Sequence, residues 1–260
     1  MKTFNTLILA VAIGSCASAE MRMWTDESGN RFKGEFDKEL FGDIRVKGED
    51  RKSHMIPMDK LVKEDWEYIL NKVPPRIEAS VSKSIRKKPE MDWTIEQDVT
   101  QLYTFKVTLT KTSRLPYKGV LTAELFLFGD EVDGDNYVLV HREKTDFTFP
   151  DARDSIVEYQ VADIHYRKYY ASWAVTESRF RGIEYIGYLL AVSDSDGKLV
   201  YTDCDVADSD WITGDIEKSL EGLRKIAYDG RGSVYSRHFN KRFRKVMVPR
   251  IPWHKRTQWF

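Results

Sequence analysis

The stretch Tyr103-Thr104-Phe105-Lys106-Val107-Thr108-Leu109 decides the fold class, because large apolar and polar side chains alternate along it with a period of two. Successive side chains of a strand point to opposite faces, so this segment reads as a strand with one face in a core and the other in water. A helix would place its apolar residues three and four apart instead. The same alternation, or a short apolar run bounded by Gly, Asp or Pro, recurs at residues 77–81, 120–128, 137–140, 147–149, 156–161, 183–192 and 199–201. Asp194-Ser195-Asp196-Gly197 supplies the turn chemistry for a tight hairpin between the last two. Against these eight strands stands one helix, 216–227, with Ile216, Leu220, Leu223 and Ala227 on one stripe, Asp215 as N-cap and Asp229-Gly230 as its stop. Residues 75–230 are therefore expected to form an antiparallel β-sandwich. An immunoglobulin-like topology is chosen on strand count alone, since the paired cysteines of that fold are missing.

Working toward the N-terminus, Val73-Pro74-Pro75 interrupts any helix and marks a domain boundary. Before it, residues 20–72 hold short strands around Phe32, Gly34 and Phe36, at 44–48 and at 53–58, and a helical turn over 62–70 with Trp66, Ile69 and Leu70 facing inward. Several short strands in about fifty residues suit a small closed barrel. The residues Trp24-Thr25-Asp26, Gly29, Phe32 and Phe36, followed by Ile56-Pro57-Met58-Asp59-Lys60-Leu61 and Glu64-Asp65-x-x-Tyr68, resemble the Sla-one homology domain, an SH3-like small barrel. Eukaryotic members of that family sit in endocytic adaptors and bind Asn-Pro-Phe peptides, and bacterial relatives commonly follow a signal peptide. The resemblance implies a peptide-binding module here, with Trp24, Phe36, Pro57, Leu61 and Tyr68 in packing roles and Met58 in place of the family's Leu. The fold expected for the whole is mainly β: a small SH3-like barrel, then the sandwich with one C-terminal helix.

The first nineteen residues have the form of a secretory signal: Lys2, an apolar stretch over 7–13, and Ala17-Ser18-Ala19 before Glu20. Ile13-Gly14-Ser15-Cys16 fits a bacterial lipobox as well, so a lipoprotein anchored at Cys16 stands as the alternative to cleavage after Ala19. Either way an extracytoplasmic place is expected, periplasmic or secreted. Cys204 is then the single remaining thiol, expected to serve as a small buried hydrophobe.

Charge is balanced overall but not along the chain. Residues 20–230 carry 31 basic and 41 acidic side chains, while residues 231–260 carry nine basic and none acidic. That tail mixes Arg242, Arg244, Lys245 and other cations with Trp253, Trp259 and Phe260. Such a mixture fits nucleic acid in a cytosolic protein. After an export signal it fits anionic lipid or an acidic glycan better, and docking of the tail on the acidic body is the competing explanation.

No reaction is legible. The five histidines lack metal-ligand spacing, and there is no nucleophile elbow, phosphate loop or dinucleotide fingerprint. A glycosidase-type carboxylate pair leaves no fixed spacing, so the sequence is silent on one. Asp203, Asp205, Asp208 and Asp210 read as turn and cap chemistry rather than a cation site. The expectation is a non-catalytic bacterial envelope protein without cofactor or metal, acting as a protein- or peptide-binding adaptor. Carbohydrate binding is the alternative. Candidate binding residues are Trp24 and Trp66 in the barrel, the aromatic cluster Tyr166, Tyr169, Tyr170 and Trp173, and Arg242, Arg244, Lys245 and Trp253 in the tail.

Overall fold

A computed structural model describes residues 21–25, 28–40, 42–49, 51–88, 99–151, 155–174, 177–226 and 237–246, with the side chains of 170–180 excepted. The expected signal segment, Cys16 and Trp253 lie outside the described residues.

The N-terminal module is an antiparallel meander of β1 (Arg22–Thr25), β2 (Arg31–Leu40), β3 (Asp43–Gly48) and β4 (Ser53–Pro57), followed by helix α1 (Lys63–Lys72). Strand β2 bends at a bulge between Phe36 and Lys38, which lets one long strand wrap the small core. Among the described residues β1 and β4 do not pair, so the wall of the expected barrel is open there. Trp24, Ile44, Val46, Ile56 and Ile69 fill the centre. The Trp24 indole donates to the Gly34 carbonyl at 3.0 Å, so its buried N–H is satisfied. Asp65 of α1 is buried, accepting from Arg22 at 2.5 Å and from the Thr25 amide at 3.1 Å. The Arg22 guanidinium also lies 4.3 Å from the Tyr68 ring centroid. The Asp-x-x-Tyr spacing thus puts a carboxylate and a ring on one helical face, where they grip a single arginine of β1.

The segments on either side of Val73-Pro74-Pro75 touch. Leu115, from the loop after β6, is buried in the small core. The Lys118 amide donates to the Leu70 carbonyl at 2.8 Å, and Lys72 pairs with Asp196 at 2.8 Å.

The second domain comprises β5 (Ile77–Lys88), β6 (Val99–Lys111), β7 (Leu121–Glu131), β8 (Tyr137–Phe147), β9 (Ile156–Ala174), β10 (Glu177–Ser193) and β11 (Leu199–Cys204), all antiparallel. One sheet runs β5-β6-β9 and the other β8-β7-β10-β11, and β10 joins them by pairing with β9 over its first part and β7 over its second. Lettered A to G in chain order, the sheets are A-B-E and D-C-F-G. This is the immunoglobulin arrangement with its fourth strand moved across, since the constant-type order keeps it beside E. Phe105, Val107, Leu109, Leu125, Leu127, Leu190 and Val192 from the two inner faces form the main core.

A third layer covers the other face of the β8-β7-β10 sheet. Helices α2 (Asp210–Thr213) and α3 (Ile216–Lys225) bury Ile212, Leu220 and Leu223 against Phe126, Phe128, Leu189 and Ala191. The single helix expected is α3, and its cap is Asp215, which accepts from the Lys218 amide at 3.1 Å. Helix α2 is an addition to that expectation, as is β12 (His238–Phe239), through which the basic tail pairs with β8. Residues 147–149 are not a separate strand, because β8 runs unbroken to Phe147. Glu124 on β7 sits under α3, buried, and is held by Arg142 of β8 and by Arg224 of α3, whose Nε lies 2.7 Å from the carboxylate. A buried carboxylate between two guanidiniums fixes the helix's position on the sheet.

Candidate interaction surfaces

The expected binding residues separate into buried, exposed and undescribed groups. Trp24 is fully buried, which removes it from any ligand groove, and Trp66 packs half-buried against the same small core. Tyr166 and Tyr169 are 1% and 4% exposed. Tyr166 belongs to a ring cluster with Tyr103 and Tyr185, centroids 4.8 and 5.4 Å away, and donates to the Phe128 carbonyl at 3.2 Å. Burial pushes its phenol well above the ordinary range. The described half of the aromatic cluster is therefore core and presents no stacking face to a sugar; the side chains of Tyr170 and Trp173 lie outside the described residues.

Several residues with reactive potential are engaged structurally. Cys204 is half-buried, and burial pushes its thiol up to about 11, so it carries little thiolate at neutral pH. Asp203 accepts from the Tyr188 hydroxyl at 2.7 Å. A cavity of about 170 Å³ between β11 and α3 is lined by residues 199–202 and 215–217, and Asp215 there is already committed to its helix cap. Among the described residues no group of three His, Cys, Asp or Glu side chains could hold a metal ion, and no helix is long and apolar enough to cross a membrane.

Two surfaces remain. The first is the outer edge of β5. From Ser82 to Lys88 every residue is exposed, β6 pairs with one side, and no strand occupies the other among the described residues. Unpaired backbone donors and acceptors along such an edge are a template for another strand. Lys83, Arg86, Lys87 and Lys88 line it. Lys83 lies 4.3 Å from the Tyr185 ring centroid, and Arg86 faces Asp163 at 3.6 Å across exposed surface. These four cations were not among the expected site residues. Their signal was present in Lys83-Ser84-Ile85-Arg86-Lys87-Lys88, since a strand this basic belongs at an edge.

The second surface is a hairpin built from the start of the basic tail. Phe239 bridges Lys245, the Asn240 amide donates to the Arg244 carbonyl at 3.1 Å, and the Asn240 side-chain oxygen accepts from the Arg242 and Arg244 amides at 2.9 and 3.2 Å. Phe243, at φ 56°, turns back to pack on Trp211 and Phe239, with centroids 5.5 and 6.0 Å away. Lys241, Arg242, Arg244 and Lys245 stay exposed and form no ion pair among the described residues. The tail docks on the body at this point, through strand pairing and ring packing, with four cations exposed at its tip.

No family model matches the chain, and no curated protein matches it. Among solved structures it resembles a target of the Northeast Structural Genomics Consortium, at 10% identity and TM-score 0.24, over 50% of this chain and 81% of that one. It also resembles a crystal structure from Akkermansia muciniphila, at 14% identity and TM-score 0.25, over 71% of this chain and 94% of that one. At those scores neither likeness carries an argument about fold or function.

Proposed function

We propose that this protein is an exported, non-catalytic adaptor of the bacterial envelope that binds an extended, acidic polypeptide segment by adding it as a strand to β5. The observation that carries the reading is the open, cation-lined edge from Ser82 to Lys88. Main-chain hydrogen bonds along such an edge supply affinity and the flanking side chains supply selection. Cations there repel a second copy of the same edge and accept a partner bearing Asp or Glu, so one feature blocks self-association and chooses the partner. The N-terminal resemblance to the Sla-one homology domain supports the same class of function, and the signal-like first nineteen residues support the location.

The test is recovery of envelope proteins on the full chain at low and high salt, followed by hydrogen exchange with the recovered partner bound. Protection of amides 82–88, lost in the Lys87→Glu/Lys88→Glu variant, is the expected result. A partner that protects only the β1–β4 module would move the adaptor function to the small barrel, and failure to recover any partner would remove the adaptor reading altogether.

A further inference from the structure

The hairpin tip differs from an ordinary charged loop in three respects. Its shape is fixed from inside: the Asn240 side chain accepts from two backbone amides of the turn, and the Phe243 ring is anchored beneath it. The cations flank that anchor in sequence, with Lys241 and Arg242 before it and Arg244 and Lys245 after it. The four make no ion pair among the described residues, although the body carries an excess of acid.

We propose that the tip from Asn240 to Lys245 is a binding site for the phosphate headgroups of an anionic phospholipid bilayer, engaged by Lys241, Arg242, Arg244 and Lys245. Guanidinium groups take phosphate oxygens through paired hydrogen bonds, and lysines add point charge, so two of each suit a field of phosphodiesters better than a single carboxylate. A bilayer is favoured over a soluble polyanion by the sequence that follows immediately. Residues 247–260 add Arg250, Lys255 and Arg256 together with Trp253, Trp259 and Phe260. Cations with Trp and Phe are the composition of a membrane–water interface, where ring and charge each find their medium. This inference does not depend on the β5 reading, since the two surfaces lie on different strands.

The full chain is sedimented with phosphatidylcholine vesicles and with vesicles containing phosphatidylglycerol. Binding is expected only to the second, weakened by salt at about 1 M, where the screening length falls to ~3 Å. The Arg242→Ser/Arg244→Ser/Lys245→Ser variant is expected to keep the wild-type melting temperature, because those side chains are exposed, and to lose affinity on the order of a hundredfold. Phe243→Ala retains every cation but frees the tip, and is expected to weaken binding as well. Equal binding to both vesicle types, no binding to either, or full affinity in the triple variant would overturn the site. Displacement from the vesicles by inorganic phosphate at millimolar levels would overturn the bilayer assignment in favour of a free phosphate site.

Discussion

Gly222 of α3 is the seat of Phe243: a Cβ placed on that glycine would stand 2.6 Å from both Cβ and Cγ of the phenylalanine. Helix and hairpin approach this closely because the helix presents no side chain there. Gly222→Ala is expected to unseat the ring, with overpacking of about 1–3 kcal/mol outweighing the ~1 kcal/mol gained in helix propensity. Hydrogen exchange should rise in amides 238–246 while α3 stays protected. In a Phe243→Gly background, which removes the Cβ as well as the ring, the same change becomes neutral or stabilising, so the two substitutions are strongly non-additive. Simple additivity would mean that the ring and the glycine are not in contact.

Glu124 supplies the second tether of α3. Burial by itself would raise its carboxyl, but hydrogen bonds and charge from Arg224 and Arg142 more than reverse this and hold it below the ordinary carboxylate range. Glu124→Gln leaves a buried amide facing two guanidiniums that still reach water, and is expected to cost about 1–3 kcal/mol. Replacing all three residues with Leu and Met of similar volume is expected to recover most of that loss. Because the folded carboxyl is depressed, its contribution is present above the unfolded carboxylate pKa and fades as pH falls through the folded one. The gap in melting temperature between wild type and Glu124→Gln should therefore close in acid, as scanning calorimetry would report.

Leu115 couples the domains by entering the small core from the sandwich side. Leu115→Ala is expected to remove about 2–5 kcal/mol from the N-terminal module. The sandwich core does not include that side chain, so the module should melt separately and earlier, giving two calorimetric transitions with the upper one unchanged. A loss confined to the upper transition would place Leu115's contribution in the wrong core.

The strands whose alternation runs unbroken were legible, and the others were hidden by particular residues. In β9 both Val161 and Ile164 are buried, with Asp163 at φ 57° in the bulge between them, so the inward set changes parity and the stretch beyond 161 stops reading as a strand. In β10 the bulge between Tyr185 and Gly187 lies inside the stretch that did read as a strand; at φ 150°, a Cβ on Gly187 would lie 1.9 Å from the Asp205 carbonyl oxygen. The helix layer had a signal in Leu125-Phe126-Leu127-Phe128, because a strand that is apolar on both sides needs cover on both. The seating of Phe243 on Gly222 had none, since it depends on a contact between segments far apart in the chain. Trp24 and Tyr166 could not be sorted into core or surface by type alone, as rings serve both.

His141 on β8 makes acid stability testable at a single site. It is largely buried, with Nε2 at 3.2 Å from the Glu143 carboxylate. Burial lowers its pKa, Arg237 lowers it further, and Glu143 opposes both without overcoming them. The folded imidazole thus binds its proton less readily than the unfolded one, whose pKa is about 6.5. Between the two values the unfolded chain holds more protons, so stability rises with pH across that window and is lost as pH falls below about 6.5. Each unit of separation is worth about 1.4 kcal/mol. His141→Gln removes the titrating ring and is expected to flatten the stability curve between about pH 5 and 7 in urea titrations. A variant curve with the wild-type slope would assign the acid sensitivity to other groups, with His165 next to test because burial and Lys88 lower its pKa too.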